Sequence, residues 1–344
     1  MINNATPKIV PSTFTPATLG TYYNMPKVGV NGISDVGVKI DYYTDGTNEY
    51  IAAIDNGQYA TTSFSSPGAF RIFKKISGNW TPIFEPNTQF NGNITSCHWH
   101  PSGNAIAVAH SQGTQSTYSG VRLYTRSGDS FTEVNLTYNA SYSINDIQWS
   151  PDGTKLAVGS GGAAMNYYDI MEFNTSNWTY TQMTCPNLST SQQIYGLSWS
   201  SNSSLLALRG NATPYFQILQ ISGSTVTQIT SPTISYVPTD VRFSKNGNFL
   251  AIGSSTTGSF LKVYSVSGTT FTEITGLTQP SASVTSLDFN DDDSKLFVSS
   301  SNQYNIYIYT ISGTTFTQTY QTDLTQRAGA RVTYIMYKNN SLFC

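Results

Sequence analysis

The chain has 344 residues, of which only 10% are charged, whereas an ordinary soluble domain has about 25%. Its 17 Lys and Arg and 19 Asp and Glu give a net charge of -2. This balance argues against a nucleic-acid binder, which needs a basic face for phosphates, and against a polybasic membrane-surface protein. With 13% aromatic residues and abundant Ser, Thr, Asn and Gly, the composition favours strands and turns rather than disorder.

The three cysteines, Cys97, Cys185 and Cys344, are far apart in the sequence and have no zinc-type spacing. They therefore indicate neither a disulfide framework nor a metal knot. The start of the chain has no basic segment followed by an apolar run, and no apolar stretch reaches the length of a membrane span. We therefore expect neither an export signal nor a membrane-spanning segment.

A sequence frame recurs along the chain at intervals of 44 to 57 residues. Each copy contains an apolar stretch that ends in an aromatic anchor residue, a turn resembling Ser-Pro-Asp-Gly, and a second apolar stretch, as in residues 144–158. Repetition at this period indicates a repeat fold rather than the two or so domains that length alone suggests. In chain order, the anchors are Tyr42, Trp99, Trp149, Trp199, Phe243, Phe289 and Tyr337.

A second turn follows most of the anchors. It consists of Ser-Gly and, two or three residues later, an aromatic or β-branched residue; the third unit has Asn174–Trp178 instead. Glycine supplies the positive φ that a tight hairpin requires, so each unit is predicted to form four short strands. Four strands repeating every 40–50 residues or so are typical of a β-propeller blade. The glycines of these turns are Gly78, Gly128, Gly223, Gly268 and Gly313.

The two ends of the chain are predicted to complete one blade together. The last unit, Val332–Cys344, has only two strands, and the segment around Phe14–Tyr23 overlays the outer strands of a unit. We therefore predict an all-β, seven-bladed propeller whose last blade is shared between the N- and C-terminal strands, leaving no open edge. The predicted parts are an N-terminal arm at 1–12 and blades near 36–85, 94–135, 144–184, 194–230, 239–275, 284–320, and 331–344 completed by 13–26.

At Trp149-Ser150-Pro151-Asp152-Gly153, and at its altered copies in 99–103 and 243–247, the chain resembles the WD40-like propellers. No unit has the Gly-His opening or the Trp-Asp ending of true WD40 repeats, so their buried polar network is not expected here. The resemblance implies a propeller fold and a scaffold or recognition role, but no reaction. The composition also resembles that of β-structured bacteriophage virion proteins, a likeness that assigns no role to any residue.

Few residues in the sequence could carry catalysis or bind a metal. His98 and His100 share one face of a predicted strand, but two ordinary imidazoles at a strand end explain them more simply. The run Asp291–Asp293 could bind calcium, yet it lies in a turn, where Asp is favoured, and lacks a DxDxDG loop. No P-loop, G-x-S-x-G, metalloprotease or sialidase-type box is present. We therefore predict that the protein is not an enzyme and has no catalytic residues, no metal site and no cofactor.

One face of the predicted propeller carries regular short turns, and the other carries loops of variable length. These loops are long in the first three blades and contain Tyr59, Tyr118, Tyr167 and Tyr168. Tyrosine offers amphipathic contact area at low entropic cost, and binding residues concentrate on loops held by a rigid scaffold. We predict that these tyrosines contact a partner protein or glycan; the alternative is that the loops are tolerated insertions.

Together, these observations predict a non-enzymatic bacteriophage virion component, attached to the tail or capsid and used for assembly or host-surface contact. Its partners would be other virion proteins or a host surface protein or glycan, with no nucleic acid and no membrane insertion. It would be made in the host cytoplasm and located in the virion. Two alternatives stay open: an intracellular bacterial WD40-like scaffold for protein–protein interaction, and a carbohydrate-binding or glycan-active propeller.

Overall fold

The structure, a computed structural model, describes most of the chain from residue 39 onward. The predicted N-terminal arm and the segment 13–26 lie outside the described residues. Within the described residues every regular element is a strand, and no helix is long and apolar enough to cross a membrane. The described residues are 39–55, 69–86, 90, 93–111, 119–136, 138–140, 143–161, 167–187, 192–301, 306–322, 334–339 and 341–343.

The strands pair in chain order into antiparallel sheets, which we number as blades 1 to 6. Blade 1 contains β1 (Lys39–Thr44), β2 (Glu49–Asp55), β3 (Ala69–Ile76) and β4 (Asn79–Phe84). Blade 2 contains β5 (Asn93–Trp99), β6 (Ala105–Ser111), β7 (Ser119–Ser127) and β8 (Ser130–Val134), with the short β9 (Asn139–Ala140) paired to β7. Blade 3 contains β10 (Ser143–Trp149), β11 (Lys155–Gly161), β12 (Tyr168–Asn174) and β13 (Thr179–Gln182).

The second half of the chain repeats this order. Blade 4 contains β14 (Ile194–Trp199), β15 (Leu205–Gly210), β16 (Phe216–Ser222) and β17 (Thr225–Ile229). Blade 5 contains β18 (Pro238–Phe243), β19 (Phe249–Ser254), β20 (Leu261–Ser267) and β21 (Thr270–Glu273). Blade 6 contains β22 (Val284–Phe289), β23 (Lys295–Ser300), β24 (Ile306–Ser312) and β25 (Thr315–Thr322), and a two-stranded sheet follows with β26 (Met336–Lys338) and β27 (Ser341–Phe343).

The prediction of an all-β protein built from four-stranded units is confirmed. The turn glycines also have the predicted backbone, because those in the Ser-Gly turns all have positive φ. In the first turns of blades 4 and 6, Ser203 and Asp293 take the left-handed conformation in place of glycine, at φ 60° and 58°. Asp293 holds this conformation while its carboxylate accepts the backbone N–H groups of Lys245 at 2.8 Å and Asn246 at 3.0 Å.

Apolar side chains fill the space between neighbouring blades. Between blades 2 and 3, the alanines and Leu123 of blade 2 pack against Trp149 and Phe173 of blade 3, whose rings lie 4.8 Å apart. Small residues on one blade thus face large rings on the next, and the anchor Trp149 is fully buried. At this pair of blades the anchor ring fills the space that the small residues leave.

The inner strand of blades 2 to 6 contains a β-bulge at the same place in the frame. A bulge adds one unpaired residue and increases the local twist of the strand. The residue after the bulge, three positions before the anchor, therefore points toward the following blade. The extra residues are Thr95, Asn145, Tyr195, Thr239 and Thr285.

Two turn glycines allow a matched test of contacts between blades. A Cβ at Gly153 would lie 2.5 Å from His100 Nε2, whereas a Cβ at Gly128 would meet nothing within 4 Å. Both glycines have positive φ, at 72° and 61°. We therefore expect Gly153→Ala to lower the free energy of unfolding by at least about 1 kcal/mol more than Gly128→Ala, because it also disturbs the bond from His100 to the Gly153 carbonyl. Equal losses in denaturant unfolding would contradict this assignment.

Candidate functional site: the axial cluster

The inner strands of successive blades lie side by side around one axis. Their neighbouring edges face each other rather than forming a continuous sheet. Strand β26 takes the next position after β22. Asn339, the residue after β26, meets blade 1, where its Nδ2 donates to the Tyr42 hydroxyl at 3.1 Å. Met336 packs with Tyr42 and Phe73 of the same blade. The polar side chains on these strands therefore converge near the axis.

The side chain just before an anchor bonds to the next blade. Gln148 Oε1 accepts the Trp199 N–H at 2.9 Å, and Ser198 Oγ accepts the Phe243 N–H at 2.8 Å. Three further blade pairs show the same pattern, in which the anchor N–H donates to the preceding blade. The pairs are Trp99 to Asp41 at 2.6 Å, Trp149 to His98 Nδ1 at 3.4 Å, and Tyr337 to Asp288 at 2.7 Å. Blade 5 differs, because Arg242 occupies this position and its Nε donates to the Leu287 carbonyl at 3.2 Å.

The side chain that follows the bulge forms a second set of bonds between blades. Asp146 accepts the Leu197 N–H at 3.1 Å, and Asp240 accepts the Leu287 N–H at 2.8 Å. Ser286 Oγ accepts the backbone N–H of Ile335 at 3.2 Å. Each bond satisfies an N–H on the axial edge of a strand, where no further strand is available.

The side chain of Lys39 in blade 1 reaches blade 3. Its Nζ bonds to Asp146 and also donates to Ser96 Oγ of blade 2 at 2.9 Å. Burial by itself would raise the pKa of Asp146, but the charge of Lys39 and the hydrogen bonds from Lys39 and Ser96 outweigh it, so the pKa lies below its ordinary value. One lysine therefore links three blades.

Further charges pair around the axis. Lys245 Nζ donates to Asp288 at 2.8 Å, and the Arg242 guanidinium lies 3.8 Å from Asp240. The side chains of Lys39 and Arg242 are 28% and 18% exposed, so solvent reaches the cluster. The charge of Lys245, together with burial, lowers the pKa of Lys338. We call the following set the axial cluster: Lys39, Asp41, Asp146, Arg209, Asp240, Arg242, Lys245, Asp288 and Lys338.

The residues that the sequence offered as metal ligands take part in contacts between blades or within turns. His100 Nε2 donates to the Gly153 carbonyl of blade 3 at 2.8 Å, and His98 Nδ1 accepts the Trp149 N–H of that blade. Of the acidic run, Asp292 accepts the Ser294 N–H within its own turn, and Asp293 binds the neighbouring turn as described above. Among the described residues, no group of three or more His, Cys, Asp or Glu could hold a metal ion.

The predicted partner-binding tyrosines are only partly covered by the structure. Tyr59 and Tyr118 lie outside the described residues. Tyr167 and Tyr168 are 9% and 0% exposed, and the Tyr168 hydroxyl donates to the Pro186 carbonyl at 2.8 Å. Their expected place in an exposed loop is therefore wrong: Tyr168 begins β12, and its ring lies in the core between blades 3 and 4.

The sequence reasoning missed the axial carboxylates. Asp41 and Asp288 come directly before an anchor, and Asp146 and Asp240 come three residues before one. These two offsets in the repeat frame are the signal that would have found them. The carboxylates were not recognised because no short motif contains more than one of them. They come together only through the circular arrangement of the blades.

Comparison with known proteins supports the propeller assignment. Residues 25–182, a little under half of the chain, match a family model described as the first N-terminal β-propeller of ELP1. A search of curated proteins finds no match. The chain therefore has a β-propeller fold, as its resemblance to WD40-like proteins implied. Nothing in these matches supports the likeness to bacteriophage virion proteins.

Several solved propellers share this architecture. The periplasmic gluconolactonase PpgL of Pseudomonas aeruginosa aligns with a TM-score of 0.63 at 14% identity, covering 80% of this chain and 82% of that one. A candidate 6-phosphogluconolactonase of Bacteroides uniformis aligns at 0.61 and 11%, covering 80% and 82%. Sqt1 of Chaetomium thermophilum aligns at 0.61 and 15%, covering 83% and 71%. At these identities the likeness shows the fold alone.

The prediction that the chain is not an enzyme is overturned by these matches. The matched propellers include proteins described as lactonases, so this fold is compatible with catalysis. The absence of short catalytic motifs is therefore no ground for excluding a reaction.

The histidines give the protein a pH dependence that can be measured. Burial lowers the pKa of both His98 and His100. The folded state thus disfavours the protonated rings. The two histidines therefore contribute fully to stability above pH 6.5, the ordinary histidine pKa, and their contribution decreases as the pH falls below that value. We expect the melting temperature to fall between pH 7.5 and pH 5.5, and to fall less in His100→Asn. Parallel curves for the two proteins would contradict this role of His100.

Proposed function

We propose that the protein is a propeller that binds a small, hydroxyl-rich polar ligand over the axial cluster. The observation that carries this proposal is the concentration of charge: nine of the 36 Lys, Arg, Asp and Glu residues lie in this cluster, in a chain that is 10% charged. Buried charges contribute little net stability, and well-packed apolar residues could hold the blades together equally well. Clusters of this kind are therefore candidates for a functional role.

The chemistry of the cluster suits a sugar derivative. Its carboxylates accept hydrogen bonds from hydroxyl groups, while its lysines and arginines donate hydrogen bonds and attract negative charge. The fold shared with the gluconolactonase of P. aeruginosa supports the choice of sugar acids and their lactones as the first ligands to test. A lactonase reaction is included in the proposal as the activity to assay.

The test compares two paired-charge removals. The variant Lys39→Met/Asp146→Leu removes an axial ion pair, whereas Lys262→Met/Glu273→Leu removes an exposed pair on the outer strands of blade 5. We expect calorimetry to show binding of glucono-δ-lactone or gluconate to the wild type, and affinity at least about tenfold weaker in the axial variant only. Lactone hydrolysis followed by pH-stat gives a second readout. No binding and no hydrolysis in the wild type, or equal affinity in both variants, would contradict the proposal.

We also propose that β26 and β27 belong to a seventh blade that residues 13–26 complete. In support, the backbone N–H groups of Ile335, just before β26, and of Tyr337 within it donate to Ser286 and Asp288 of blade 6, as other inner strands donate to the preceding blade. Asn339, directly after β26, bonds to Tyr42 of blade 1. Strand β27 pairs with β26 alone among the described residues. A strand with an unpaired edge is a template for another strand.

Truncation tests this closure. We expect deletion of residues 1–26 to lower the melting temperature by at least about 3 °C, because the blade loses two strands, and deletion of residues 1–8 to change it little. A synthetic peptide spanning residues 9–26 should restore the lost stability when added in excess. An unchanged melting temperature after deletion of residues 1–26 would show that this segment is not part of the ring.

A partner protein or glycan on the loop-bearing face stays a proposal for Tyr59 and Tyr118. It is supported by the loop lengths and the tyrosine content of the sequence. The virion location stays a prediction from composition, and co-sedimentation with purified particles in a fixed copy number is its test. Absence from washed particles would reject it.

A further inference from the structure

Arg209 occupies an unusual place in the repeat. It lies in β15 and pairs with Gly196 on the inner strand of blade 4. Because Gly196 has no side chain, the arginine side chain can cross it, and a Cβ at residue 196 would overlap Arg209 Nε. The residues with the equivalent pairing in blades 2, 3, 5 and 6 are small and uncharged: Ala109, Gly159, Gly253 and Ser299.

The guanidinium of Arg209 has few partners. Its Nη1 donates to the Pro238 carbonyl at 3.3 Å, and its Nε is buried with no hydrogen-bond partner in the described part of the chain. The nearby carboxylates are already engaged, since Asp146 is bonded to Lys39 and Asp240 accepts two backbone N–H groups. Burial lowers the pKa of Arg209, although the charges of Asp240 and Asp146 oppose this effect. A guanidinium stays charged in proteins, and because Arg209 is only partly buried, we look to its other N–H groups for contact with a ligand.

Two further side chains belong to residues next to these contacts. Thr239 directly follows Pro238, and its hydroxyl is buried with no hydrogen-bond partner among the described residues. Tyr195, the bulge residue beside Gly196, is 39% exposed. The residues next to the two contacts of Arg209 therefore offer a hydroxyl and an accessible aromatic ring.

We infer that Arg209, in the space left by Gly196, binds the oxyanion of a small sugar-type ligand, either a carboxylate or a phosphate. Arginine matches the geometry of both groups through two parallel N–H donors. The Thr239 hydroxyl adds a hydrogen bond, and the Tyr195 ring packs against the body of the sugar. This inference deepens the proposed function and rests on it, since it specifies that the ligand is anionic.

The test compares ligands that differ only in charge. Calorimetry measures the binding of glucose, gluconate and glucose 6-phosphate to the wild type, to Arg209→Gln and to Gly196→Ala. Arg71→Gln serves as the control, because Arg71, in β3 of blade 1, pairs with the exposed Glu85 just after β4. In the wild type and the control, we expect at least one anionic sugar to bind about tenfold or more tightly than glucose. Whichever anionic sugar binds more tightly identifies the oxyanion.

The two variants remove the site in different ways. Arg209→Gln deletes the charge, and Gly196→Ala keeps it but displaces the side chain, so both should abolish the preference for the anionic sugar. Arg209→Gln should melt no lower than the wild type without ligand, since it removes a poorly paired buried charge. If all three sugars bind the wild type equally, or if Arg209→Gln retains the preference, the inference is wrong while sugar binding stands. If no sugar or lactone binds the wild type, the proposed function and the inference both fail.

Discussion

The rest of the structure depends on one interaction: the hydrogen bond that an inner-strand backbone N–H donates to a side chain of the preceding blade. An inner strand has a sheet partner on one edge only, so its axial N–H groups need other acceptors. Gln148 and Ser198 supply such acceptors to the anchors Trp199 and Phe243. Because the acceptor comes from the preceding blade, each bond also fixes the spacing of two blades. The requirement explains why polar residues stand beside aromatic anchors in an otherwise apolar strand.

This requirement accounts for some axial side chains and leaves others unexplained. Asp41 and Asp288 are explained, because each accepts an anchor N–H. Lys39 and Arg209 satisfy no such N–H, and both place positive charge where an apolar side chain would fit more easily. In other blades, the side chain that follows the bulge accepts an N–H of the next blade. Gly196 has no side chain to do this, and the Val241 N–H donates to Asp240 in its own blade instead. Arg209 lies at this place. The proposed ligand site therefore lies where one hydrogen bond between blades is missing from the repeated set.

Much of the fold could be predicted from the repeat frame. The anchors and turn glycines report local geometry, so a positive φ at Gly153 or Gly268 follows from the sequence. The burial of Tyr168 did not follow, because the length of the preceding loop hid the start of β12. The pairing of Arg209 with Gly196 depends on the bulge at Tyr195, which shifts the register by one residue. The exclusion of an enzyme failed because it relied on the absence of short motifs, whereas propellers described as lactonases share this fold.

Amide hydrogen exchange of the anchor residues, measured by NMR in the native state, tests the account most directly. If side chains of the preceding blade hold these amides, Trp199 and Phe243 should exchange only through global unfolding. Replacement of Gln148 by Ala should then speed exchange at Trp199 by at least about tenfold and leave Phe243, whose acceptor is Ser198, unchanged. Exchange of both amides at the rate of exposed turn amides in the wild type would contradict the account.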